Sequence, residues 1–207
     1  MKPAVCMILA LFATQVGNAS VLFSPGNNPQ TDEAVLFHDS CVGCVDGPGS
    51  LVIGHMQISN FLVNLTSTAQ LVAVDPGHNA VSTPGDIGFN NLSIVVPGYS
   101  FTSIILQLTE LASAPDGTVT FTAHTLADGN FISSALFVDH TGGNFYTITT
   151  TSGTRITQLD LATTQLQHDI SQMRIGGAAS TVPEPATSAL IGSALIGLAF
   201  LRRRLPR

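Results

Sequence analysis

The sequence predicts an all-β fold, a single antiparallel β-sandwich of jelly-roll-like type, and three observations carry that prediction. Short β-type apolar runs recur between residues 20 and 177, separated by Gly, Asp and Pro turns. No stretch there shows a capped helical period, apart from a weak one over residues 161–167. Ser and Thr supply 36 of the 162 residues from 20 to 181, and only 10% of the whole chain is charged. Threonine suits a pleated, solvent-facing strand, because its branched carbon favours extended backbone and its hydroxyl meets water.

The runs follow one another along the chain. Phe61-Leu62-Val63-Asn64-Leu65 and Gln70-Leu71-Val72-Ala73-Val74 come first, each bounded by polar residues. Leu92-Ser93-Ile94-Val95-Val96 stops at Pro97-Gly98, and residues 103–108 and 119–123 follow, the latter in strict alternation. Residues 131–138, 145–151, 155–161 and 170–175 complete the set. Asp116-Gly117, Asp128-Gly129 and Gly142-Gly143-Asn144 punctuate them at hairpin-like spacing. A body of about 160 residues is ample for one such domain, and no linker divides it.

Charge excludes one function class. Between residues 20 and 181 the chain holds 12 acids, two arginines (Arg155 and Arg174) and no lysine, a net charge of about −10 with histidine neutral. Nothing is available there to neutralise phosphates, so no nucleic-acid partner is expected.

Both ends are hydrophobic in a directional way. Lys2, an apolar run over residues 4–13 and small residues at Gly17 and Ala19 are the parts of a secretory signal peptide over 1–19, the address read by the Sec translocon. The run is too short to span a membrane. At the other end, residues 178–181 form a short linker within a small-residue tether over 176–181. Val182, Pro183, Glu184 and Pro185 come next, then an uncharged run over 186–201, then Arg202, Arg203 and Arg204. As a helix the run measures about 24 Å, short of a hydrocarbon core of about 30 Å but workable with snorkelling arginines. The arginines belong on the cytoplasmic side, which leaves the body outside the inner membrane.

In that order, triplet, span and arginine cluster resemble the PEP-CTERM sorting signal, a tail also called the ice-binding protein C-terminal domain. The resemblance covers residues 181–207 and implies recognition by exosortase, a membrane-embedded protease-like transpeptidase, in association with exopolysaccharide. It implies export across the inner membrane, transient anchoring by the tail, then a place at the cell surface or in the extracellular matrix. The body, 20–177, is similar only loosely to the small β-rich ectodomains that accompany this signal, and no activity transfers with that likeness.

Chemistry in the body is sparse. Cys41-Val42-Gly43-Cys44 is the sharpest local feature, open to redox, zinc or disulfide readings. A helix-breaking Val45-Asp46-Gly47-Pro48-Gly49 follows, which argues against a thioredoxin-type site. A zinc site needs two further ligands, and no second cysteine pair exists. A Cys41–Cys44 disulfide in an oxidising compartment is the favoured reading. The six histidines show no metal-binding spacing; His38-Asp39 and Asp139-His140 could meet in space as a metal or acid/base group, but nothing in the sequence brings them together. Glu110 lies between Leu108 and Leu111, an apolar setting that raises a carboxyl pKa, but a glycosidase needs a placed partner. Asp75, Asp116 and Asp128 could supply oxygen ligands to calcium, although Asp-Gly turns need no metal to explain them. No catalytic residue, metal or cofactor is therefore assigned.

These readings favour a non-enzymatic surface or matrix protein with structural or interaction roles. A carbohydrate-binding module is the first alternative, weakened by the absence of Trp and the presence of only Tyr99 and Tyr146 as tyrosines. A polysaccharide hydrolase is the second.

Overall fold

In the strand Gly117–Thr125, Val119, Phe121 and Ala123 are fully buried while Thr118, Thr120 and Thr122 are half-exposed. Successive strand side chains point to opposite faces, so such alternation gives one face to a core and the other to solvent. Repeated along the chain, it builds an antiparallel sandwich.

The computed structural model describes residues 20–37, 41–74 and 79–181. The signal peptide expected over 1–19, the motif and span expected over 182–207, and His38, Asp39, Asp75 and His78 lie outside the described residues. The strands are β1 (Ser20–Pro25), β2 (Asp32–Leu36), β3 (Gly49–Met56), β4 (Leu62–Val74), β5 (Ala80–Ser82), β6 (Phe89–Val95) and β7 (Tyr99–Ser100). They continue as β8 (Ser103–Glu110), β9 (Gly117–Thr125), β10 (Asn130–Ile132), β11 (Leu136–Val138), β12 (Gly143–Thr151), β13 (Ile156–Gly176) and β14 (Ala179–Ser180). Among the described residues the one helical element is a 3-10 turn at Pro84–Asp86, and no helix there is long and apolar enough to cross a membrane.

Two long strands organise the sandwich. The first half of the 21-residue β13 lies between β6 and β9, and its second half pairs β8 and, near its end, β2. The 13-residue β4 pairs β3 and β6 early and β5 late. The ladders β9-β13-β6-β4 and β1-β12-β8-β13-β2-β3 thus share β13, and the β3–β4 pairing joins their ends. Between them lies one cluster of buried side chains, among them Phe37, Leu65, Phe89, Ile94, Phe101 and Phe121. Burying side chains of this size contributes about 1.5–3 kcal/mol each, which is how a body so poor in charge is held together.

The weak helical period over 161–167 is overturned, since those residues belong to β13. Register shifts between Ala162 and Gln167 insert extra residues there, and a bulge breaks the two-residue alternation that marks a strand. The residue 131–138 run divides into β10 and β11, both laid on β9. Of the three predicted hairpin turns, only Asp128-Gly129 joins partners, where the Thr125 amide donates to the Gly129 carbonyl at 3.0 Å. Asp116-Gly117 and Gly142-Gly143-Asn144 instead carry the chain from one ladder to the other, because neither β8 and β9 nor β11 and β12 pair. Turn chemistry fixes where the chain reverses, not which strand becomes its neighbour.

Candidate functional site

Besides the His124–Asp160 and His168–Asp169 pairs, at 2.7 and 2.8 Å, three places among the described residues bring chemically capable side chains together, and the first is where the chain leaves the body. The tether expected over 176–181 is held to the sandwich: Ala179 pairs with Ser100 and Ser180 with Tyr99 across the β14–β7 ladder. Arg155, immediately before β13, fastens it. Its Nε donates to Ser100 Oγ at 2.8 Å, and its Nη2 donates to the carbonyls of Ser100, at 2.6 Å, and of Gly177. The Thr181 amide and hydroxyl both donate to the Gly98 carbonyl, at 3.0 and 3.1 Å. Tyr99 stacks on Phe61 with ring centroids 3.8 Å apart, so the strip receiving β14 is itself fixed. A fork of guanidinium donors suits converging carbonyls, which accounts for one of the two body cations.

The second place is the cysteine turn. Cys41 and Cys44 are bridged as a disulfide with Cα atoms 5.3 Å apart, and Gly43 takes φ +91° between them. Val45 and Ile53 then exchange both backbone hydrogen bonds, at 3.0 and 2.9 Å. That antiparallel contact lays the turn along β3 and brings Cys44 Sγ to 3.7 Å from His55 Nδ1. His55 is 7% exposed. Sequence reasoning missed this histidine. The signal that could have found it is Gly47-Pro48-Gly49, a reversal that reflects residue 44 onto the neighbourhood of residue 55.

The third place gathers the acids between β8, β9 and β12. Asp116 Oδ1 accepts from His140 Nδ1 at 2.6 Å and from the His140 amide at 3.2 Å. Asp139 Oδ1 accepts from the Thr141 amide at 2.8 Å and its hydroxyl at 2.7 Å. These bonds hold both aspartates below the usual carboxylate range, and the Asp116 bond raises His140. Glu110 is 2% exposed, with Oε1 accepting from Gln167 Nε2 at 3.4 Å. Burial pushes its carboxyl up, assisted by the charges of Asp116 and Asp139. Asp128, considered above for calcium, sits instead in its own turn, accepting from the Thr154 hydroxyl at 3.2 Å. The ligand atoms of Asp116, Asp139 and His140, and those of Cys41, Cys44 and His55, lie within 4.8 Å of one another in each group.

The chain beyond the clamp decides the sorting class. Residues 181–204 match the PEP-CTERM protein-sorting motif. The motif contains Val182, Pro183, Glu184 and Pro185 and the cluster Arg202, Arg203 and Arg204. It implies export with a membrane-anchored sorting signal and, broadly, processing by exosortase. It begins at Thr181, whose amide and hydroxyl both donate to the Gly98 carbonyl. No curated protein matches the chain. Among solved structures, the chain is similar to CBM29_1, a family 29 carbohydrate binding module from Piromyces equi, at 10% identity and a TM-score of 0.31. That match covers 82% of this chain and 99% of the other. A likeness at that level carries neither fold nor ligand to this chain.

Proposed function

We propose that this is an exported interaction protein of the cell surface or extracellular matrix, delivered by its PEP-CTERM motif, cut by exosortase and retained with exopolysaccharide. The observation that carries the reading is the sorting motif over residues 181–204, together with a body that the β14–β7 pairing and the Thr181–Gly98 bonds hold as far as the motif's first residue. A folded domain fastened up to the edge of its sorting signal gives the processing enzyme one defined approach. The low-charge, Thr-rich faces of the sandwich suit a hydrated polymer layer rather than a polyanion. Fractionating the native host tests this. Wild-type body is expected outside the inner membrane, whereas a chain with Pro183, Glu184 and Pro185 replaced by alanine is expected in the inner-membrane fraction. Equal distribution of the two would overturn the reading.

A second reading, carbohydrate binding by the sandwich, is favoured by one groove. It has a volume of about 510 Å³ and is lined in part by Asn27, Phe137, Asp139 and Asn144. Phe137 is 61% exposed, an aromatic face beside hydrogen-bonding groups. Glycan-array or pull-down binding that falls at least about tenfold in Phe137→Ala, a loss of about 1.4 kcal/mol, would support it. Absence of binding across the array removes the second reading and leaves the first.

A further inference from the structure

We infer that Cys41, Cys44 and His55 form a three-ligand site for a soft divalent ion of the zinc class, available when the Cys41–Cys44 bridge is reduced. Thiolate and imidazole are the ligands such ions select, whereas calcium and magnesium take oxygen. The spacing fits. A tetrahedral zinc with Zn–S of about 2.3 Å and Zn–N of about 2.0–2.1 Å sets sulfur and nitrogen roughly 3.5 Å apart. Cys44 Sγ and His55 Nδ1 stand at 3.7 Å, and the two sulfurs, bonded to each other in this state, need only part to about 3.8 Å on reduction to share the ion.

The backbone holds this arrangement from two sides. His55 sits inside β3, opposite Leu36 of β2 and Leu62 of β4. The turn is tied down by the Val45–Ile53 exchange and lies over Leu62, which a Cβ at Gly43 would meet at 3.2 Å. The imidazole is buried while both cysteines are half-exposed, so the site is set in the fold yet open to an arriving ion. Three protein ligands leave a fourth position for water. The acidic group at Asp116, Asp139 and His140 is the weaker candidate, since its aspartates already accept two hydrogen bonds each from neighbouring residues.

Disulfide and metal compete for the same two sulfurs. Opening the bridge takes two electrons and two protons from an external dithiol, which leaves as its own disulfide. Metal binding then releases the two thiol protons to solvent. Redox state thereby decides whether the turn is a closed staple or a metal site.

Cobalt(II) titration of the full chain in detergent, reduced and anaerobic, tests the proposal. The reduced wild type is expected to develop thiolate-to-cobalt charge-transfer absorption at one ion per chain, and zinc should bleach it. The unreduced chain should show none. His55→Ala should weaken binding at least about tenfold, and Cys41→Ser should abolish the signal. Should a variant misfold, the wild type alone still decides: zinc must slow alkylation of Cys41 and Cys44 in the reduced chain, read peptide by peptide so that Cys6 is scored apart. Missing charge transfer, unprotected thiols, or a folded His55→Ala chain binding as tightly as wild type would each overturn the site.

Discussion

Glu110 stands at the end of β8 with a carboxyl almost wholly removed from water. Its Oε2 and Oε1 of Gln167 are both buried without a hydrogen-bond partner, while the other half of the pair is bonded. A protonated carboxyl supplies an O–H donor and the amide oxygen supplies an acceptor, so the neutral acid completes what the ionised one cannot. Gly117 permits the approach, because a Cβ there would stand 2.6 Å from Glu110 Oε1. The raised pKa fixes the sign of the pH dependence. The folded chain holds this proton more tightly than the unfolded one, so the contribution of Glu110 falls as pH rises from 4.5 through the folded value. The Asp116–His140 pair opposes this little, being solvent-exposed and screened. Glu110→Gln should therefore raise the melting temperature near pH 8 and lose that advantage near about pH 4. Parallel melting curves for variant and wild type across that range would refute the neutral-acid account. Gln167→Leu removes the donor and should cost about 1–3 kcal/mol. The apolar setting of Glu110 was legible in the sequence, whereas its closure beneath β9 and β13 was not.

At the scale of elements, what was legible in the sequence was what repeats locally. Strict alternation in Val119-Thr120-Phe121-Thr122-Ala123 became β9, and the runs at 61–65 and 70–74 became parts of β4. Three features were hidden. β1, β2 and β3 lie in a stretch broken by turns and by the cysteines, where no run is long enough to declare a period. The bulged stretch of β13 loses its alternation, and strand neighbours are set by crossovers that turn residues do not encode. The third is β14, whose residues are as small and polar as any linker and whose order comes from a distant cation. Arg155 makes three donations across Ser100 and Gly177, and hydrogen bonds from a charged donor contribute about 1.5–3 kcal/mol each where well formed. Arg155→Ala should accordingly speed amide exchange at Ala179, Ser180 and Thr181 while leaving β9 protected, with a loss of about 1–3 kcal/mol in stability. Unchanged exchange at those three amides would show that strand pairing alone holds the exit. Arg155→Lys should recover only part of the effect, since one ammonium cannot match the planar fork.

Taken as a whole, the molecule places a folded body very close to its sorting motif. From Thr181 to Ala186, where the apolar run begins, the chain has five steps, an extended reach of about 17 Å. If the apolar run anchors the tail as proposed, the sandwich would be held close to the bilayer with its Gly98–Thr181 end nearest the anchor. On the proposed reading, Pro183 and Pro185 would favour an extended backbone over that gap and disfavour outward growth of a helix, a shape suited to protease binding. On the proposed reading, Arg202, Arg203 and Arg204 would retain the tail through inner-leaflet charge until the cut is made. The surface-exposed protein should therefore end between Thr181 and Pro185, with the whole β14 clamp kept. Replacing the three arginines with serine should weaken retention before cutting, whereas changing Pro183, Glu184 and Pro185 should leave the tail attached. Intact-mass analysis of surface protein from the native host separates the outcomes. Recovery of chains still carrying Arg207 would mean that the tail is a permanent anchor, and that the clamp at Arg155 holds the body to the membrane rather than presenting it for release.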